Sequence, residues 1–327
     1  VLDELLAAAR RGVRVRLLMD QLSALQNVET LAALAGAHVN FSVRLYNPVL
    51  RRARISYPQY VLAAACCWRQ LNQRMHTKLL LVDGAIGITG GRNYQDTYYD
   101  WDDEYNFRDR DLLVAGPVAR DMAVDFETFW TDPRSVPPAR LVDVGHALLE
   151  DGVPALAPHG FDHPARAEAM RDAAADPQLV RERLVEPAIG VGEVRYISDT
   201  PEKHNGEDPG QLAVASDSLR GLIESAHRQV LLQTPYLVLS KPAQEMFRQL
   251  HDRPGAPRVI VSTNSLAATD AFIAYALSYK YKRRYLREFG FEIYEYKPFP
   301  ADAPVDLSAT GAVVPDYEPV QERARTR

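Results

Sequence analysis

The feature that most constrains the fold is an internal repetition. Residues 13–20 (VRVRLLMD) and 257–264 (PRVIVSTN) are β-rich runs, each leading into a helical stretch and then a second strand-like run. That second run is 39–46 (VNFSVRLY) in the first copy and 291–298 (FEIYEYKP) in the other. Strand, helix, strand in about thirty residues is a βαβ unit. Such a unit points to an α/β layer architecture, and the chain carries two diverged copies of it. Helices are expected at 1–11, 29–35, 118–130, 217–227, 242–250 and 271–289, and further strands at 109–114 and 230–239.

The first copy is placed at 1–135 and the second at 191–300. Between them, 136–190 reads as a Pro-rich connection followed by a charged, solvated helix at 164–184. The polar stretch 301–327 is expected to be a loose tail.

With 327 residues and 46% hydrophobic content the chain can bury sizeable cores, and a net charge of −5 makes any affinity for phosphate a local property. The two cysteines, Cys66 and Cys67, are adjacent, which leaves no disulfide framework and no spaced Cys/His metal set. His146, His159, His163 and His204 lack ligand spacing and are assigned no role. No apolar run approaches a membrane span.

One stretch, 75–93 (MHTKLLLVDGAIGITGGRN), carries chemistry. Asp83-Gly84 between two apolar runs signals a two-residue hairpin, with Val82 opposite Ala85, Leu80 opposite Gly87 and His76 opposite Gly91. His76 and Lys78, two apart, then share a face. They point toward a space that Gly90 and Gly91 keep clear, with Asn93 at its rim. An imidazole can attack phosphorus or move protons, and an ammonium beside it steadies phosphoryl oxygens.

His76, Lys78, Asp83, Gly90, Gly91 and Asn93 fit H-x-K-x4-D-x6-G-G/S-x-N at every position. In this the chain resembles the phospholipase D superfamily. The resemblance implies an α/β two-lobed sandwich, each lobe a mixed β-sheet flanked by helices, and metal-free transfer through a phosphohistidine, with no cofactor. His76, Lys78 and Asp83 would be catalytic, Gly91 and Asn93 would bind the substrate phosphate, and Asp109 would orient His76. On position alone, Asp83 is better suited to shaping the hairpin, and Asp109 reads equally as a surface acid. The family places two such motifs across one site, one histidine attacking phosphorus and the other protonating the leaving group.

Residues 262–270, 90–93 and 107–109 further resemble the bacterial cardiolipin synthase branch. That implies phospholipid substrates such as phosphatidylglycerol or phosphatidylethanolamine, and a peripheral place on the cytoplasmic side of a bacterial inner membrane. Nucleic acid is not expected, although a nuclease of the same superfamily is the alternative. His76 follows Pro48 by 28 residues, and the same step from Pro298 reaches the end of the sequence without a second H-x-K-x4-D. The chain is therefore expected to be cut at both ends, its second motif lying elsewhere in the native protein. A fragment that only binds phosphate or membrane is the third reading. Homodimerisation could complete the site, but the second lobe would occupy that surface.

Two basic stretches stay open. Arg51, Arg52, Arg54 and Arg69 read as a solvated connection or as the rim of an anionic site. The helix at 271–289 interleaves Tyr with Lys and Arg. It suits anionic headgroups, single-stranded nucleic acid, or packing on its Tyr and Leu face.

Overall fold

Both copies of the repeat fold as parallel βαβ units in the computed structural model, which describes residues 1–21, 27–102, 106–157, 160–201 and 214–296. The expected loose tail at 301–327, Pro298, His159 and His204 lie outside the described residues. The fold is mixed α/β with three small sheets, divided into two compact units at residue 208.

The first unit begins with α1 (Leu2–Arg10), β1 (Val15–Asp20), α2 (Val28–Ala35) and β2 (Phe41–Tyr46). The Asn27 side chain accepts from Thr30 N–H at 3.1 Å and so starts α2. β1 and β2 pair in parallel from Val15–Phe41 to Asp20–Tyr46. Leu6, Leu31, Leu34, Phe41 and Leu45 close the core against that sheet.

Two helices, α3 (Tyr57–Cys66) and α4 (Trp68–Asn72), follow where a solvated connection was expected. Cys66 and Cys67 are bonded to each other. A bridge between neighbours closes no loop, so it crosslinks nothing.

Next come β3 (Leu79–Val82), β4 (Ile86–Gly90) and β5 (Asp111–Ala115), an antiparallel sheet in that order, backed by α5 (Val118–Thr131). β6 (Ser135–Val136) returns to pair with β2, and α6 (Val142–Asp151) packs Leu141 and Val144 into the first core. Asp143 accepts the N–H groups of Ala53 and Arg54 at 2.9 and 3.0 Å. Despite its prolines, this stretch is thus packed rather than merely connecting. The helix expected at 164–184 breaks into α7 (Pro164–Ala175) and α8 (Pro177–Val180). Asp176 caps the second piece, and Pro177 cannot continue the first.

The second unit comprises α9 (Val214–Glu224), β7 (Gln229–Gln233), α10 (Lys241–Asp252), β8 (Arg258–Asn264), α11 (Phe272–Glu288) and β9 (Glu292–Tyr296). Its three strands are all parallel. β7 stops well before residue 239 because Pro235 lacks the N–H to extend a ladder. Phe247, Val261, Tyr285, Phe289 and Phe291 form its core. On α11, Tyr285 packs inward and Lys282 pairs with Glu295 at 2.8 Å, while Lys280, Arg283 and Arg287 face out.

Candidate active site

The hairpin that carries His76 and Lys78 is built as its turn residues require, but in a different register. Asp83 and Gly84 both adopt positive φ, 53° and 62°, and Ala85 N–H closes the turn on Val82 C=O at 3.0 Å. The ladder then starts at Val82–Ile86 and places Leu80 opposite Ile88, not Gly87. Ala85 is left over because its carbonyl accepts from Gly116 N–H at 3.0 Å, beside β5. This extra residue is a bulge, which shifts every pairing by one.

His76 and Lys78 lie just ahead of β3, and a buried carboxylate holds the chain that delivers them. Asp20 ends β1, and its Oδ2 accepts from Arg74 Nε at 3.1 Å and Met75 N–H at 3.0 Å. Arg74 also donates to Asn47 C=O at 3.0 Å. Asn47, buried and at φ 50°, donates to the carbonyls of Gln70 and Gln73, both at 2.7 Å. The end of β1, the turn after β2 and the exit of α4 therefore converge on the two residues before His76. Thr89 Oγ1 donates to Lys78 C=O at 3.0 Å and ties the segment to β4.

Lys78 Nζ lies 2.9 Å from His76 Nδ1 and 2.8 Å from its carbonyl oxygen. The ammonium is the main reason that the imidazole titrates below its usual range, burial adds to this, and Asp20 opposes it. Lys78 is itself pulled down by burial, with Asp109 and then Asp20 acting the other way. Asp20 is thus the carboxylate whose field acts on His76, whereas Asp109 acts on Lys78.

The remaining candidates scatter along the hairpin. Asp83 sits in the turn, about 16 Å from Lys78 at the usual rise per residue. Gly91 stands against Asp109, where a Cβ would come 2.5 Å from Oδ1 and 2.7 Å from Oδ2. A Cβ at Gly90 would collide with Asp111 and Arg110. The room that these glycines leave is taken by the entry to β5, because Gly90 pairs with Asp111. The expected empty space beside them is thus occupied by carboxylates and backbone. Asn93 donates from Nδ2 to Tyr98 Oη at 3.0 Å, and Tyr98 stacks on Phe107 with centroids 4.5 Å apart.

A cleft of about 300 Å³ opens over His76 and Lys78, with Arg74, Thr89 and Gly90 on its wall. Its other side is the segment 196–200, which the sequence did not single out. Asp125 on α5 fastens that segment by accepting from Ser198 Oγ at 2.7 Å and Tyr196 Oη at 3.1 Å. Burial raises Asp125 above the usual carboxylate range, partly offset by those two hydrogen bonds.

Residues 1–130 match the family described as "Cardiolipin synthase, PLD-like domain". Over 298 residues the chain is 30% identical to cardiolipin synthase C of Escherichia coli K12, covering 90% of this chain and 60% of that protein. Residues 1–130 are thus a phospholipase D-like domain, and the chain is cardiolipin synthase-like over most of its length. An uncharacterized protein of Helicobacter pylori J99 is 28% identical over 300 residues, 91% of this chain and 57% of that protein. A cardiolipin synthase of Geobacillus kaustophilus is 33% identical over 132 residues, 38% of this chain and 22% of that one. This phospholipase D-like chain therefore spans about 60% of the length of its long-matching relatives. Among the described residues, no helix is long and apolar enough to cross a membrane.

Proposed function

We propose that the chain is the part of a phosphatidyltransferase that carries its nucleophile, moving a phosphatidyl group between phospholipids through a phosphohistidine. The observation that carries this reading is the contact of 2.9 Å between Lys78 Nζ and His76 Nδ1 on the wall of an open cleft. Lys78 biases the imidazole toward its neutral form, which is the nucleophilic one.

With the ammonium donating to Nδ1, the neutral ring carries its own proton on Nε2. Phosphoryl oxygens entering the cleft draw Lys78 to themselves, so that Nδ1 takes the proton and Nε2 is free to attack. A P–N bond forms, and the P–O bond to the leaving headgroup breaks. The leaving oxygen takes its proton from the histidine of a second such motif, which the superfamily sets across the site. That histidine then accepts the proton of the acceptor hydroxyl, whose oxygen attacks phosphorus and releases His76. Two phosphatidylglycerols become one cardiolipin and one glycerol.

In this reading Asp109, lodged against Gly91, sets the field at Lys78, Asn93 edges the phosphate site, and Asp83 serves the turn. The chain contributes to a two-lobed phospholipase D-like fold in this reading, and the enzyme works peripherally on a bacterial membrane. The test is to incubate the chain with labelled phosphatidylglycerol, with and without phosphatidylethanolamine, in chelator, beside a longer chain that includes the second motif. Cardiolipin from the longer chain, lost in His76→Ala, supports the proposal. Cleavage of labelled DNA with no lipid product overturns it in favour of a nuclease.

A further inference from the structure

From residue 30 to residue 82 the sequence contains no Asp or Glu, although the chain as a whole carries a net charge of −5. Arg51, Arg52, Arg54, Arg69, Arg74 and Lys78 all fall within that window. Its centre is α3, which Ser56 starts through a reciprocal capping box with Gln59.

α3 is turned the opposite way from an ordinary surface helix. The side it buries is small, with Ala63 packed in a cluster with Val49 and Leu71. The side it shows to water is large and apolar. Tyr57 is 81% exposed and Leu62 56%, with Tyr60 and Val61 also open, and Trp68 at the start of α4 is 62% exposed. Arg51 and Arg54 stand exposed at the entrance to the helix. Scattered exposed apolar residues need no explanation, but a contiguous set on one short element marks a surface made to be covered.

The chemistry of that set selects its cover. Aliphatic side chains sink to the acyl boundary, Tyr and Trp settle at headgroup level, and arginines meet lipid phosphates. A second copy of this chain, docked face to face, would bring the same arginines against one another. We infer that α3, with Trp68 and the arginines at its entrance, docks the chain on the surface of an anionic phospholipid bilayer. This deepens the lipid-substrate proposal, because α3 leads through α4 directly to Arg74 and His76. It is tested by binding alone, which requires no turnover.

The experiment is co-sedimentation of the full chain with vesicles of phosphatidylcholine, alone or mixed with phosphatidylglycerol. Wild type is expected to sediment with the mixed vesicles and to be released by salt. Leu62→Gln with Trp68→Gln should lower partition about tenfold or more, from the apolar area no longer buried. Arg51→Gln with Arg54→Gln should lower it about thirtyfold at low salt. All four side chains are solvent-facing, so circular dichroism should be unchanged. His76→Ala should bind like wild type, which separates docking from catalysis. The inference is overturned if wild type stays in the supernatant or prefers neutral vesicles, or if both double variants sediment normally. It falls equally if the substitutions abolish self-association in lipid-free ultracentrifugation while vesicle binding is unaltered.

Discussion

Replacing Asp20 by Asn keeps the shape of the side chain and removes its charge, which isolates what the carboxylate does for the segment ahead of His76. Asp20 and Arg74 are both largely shielded, with side chains 5% and 17% exposed. Breaking such a pair costs about 3–5 kcal/mol when the partner charge is left alone. Arg74 still has the Asn47 carbonyl at 3.0 Å, so about 2–3 kcal/mol is the reasonable share. Converted at 1.36 kcal/mol per decade, local opening of residues 74–78 should become about 30- to 150-fold more frequent. Hydrogen exchange read by mass spectrometry on peptides spanning that segment measures it directly. The sheet of β7, β8 and β9, in the other unit, serves as the internal control. Unchanged exchange at 74–78, or loss of protection spread evenly over both units, would refute the reasoning.

Other predictions follow from the same geometry. His76→Ala should abolish phosphatidyl transfer while circular dichroism stays the same, since the side chain is exposed and packs little. In an NMR titration of wild type, His76 should lose its proton below the usual histidine range, because Lys78 and burial both disfavour the charged ring. Lys78→Met removes the larger cause, so the transition should move upward, and the acid limb of kcat/KM should follow it. Asp125 is raised by burial, so the folded state holds its proton longer than the unfolded state does. Stability owed to that proton is present at low pH and fades as pH rises through the raised value. Asp125→Asn should flatten this dependence, seen as pH-independent exchange protection in residues 196–200.

The sequence made the hairpin and the pairing of His76 with Lys78 legible because both depend on neighbours. Asp83-Gly84 dictates a tight turn, and a spacing of two puts imidazole and ammonium together. The register was not legible, because the residue that shifts it, Ala85, is held by Gly116 on a strand further on. Parallel pairing within each βαβ unit could be read from periodicity. Asp20 and Asp125 could not be singled out, because their partners lie more than fifty residues away, at Arg74, Met75, Tyr196 and Ser198. The glycines were read as room for a phosphate, whereas Gly91 makes room for Asp109. α3 escaped notice as a helix because its buried side is little more than Ala63, too slight to leave an apolar stripe.

The measurement that bears most directly on the account uses a phosphatidyl ester of p-nitrophenol, whose leaving group departs without a proton donor. Attack by His76 can then be read without a second histidine. A burst of p-nitrophenolate of about one equivalent per chain is predicted, with the phosphatidyl mass on the peptide that contains His76. The absence of a burst, or an equal burst from His76→Ala, would contradict the claim that this histidine is the nucleophile.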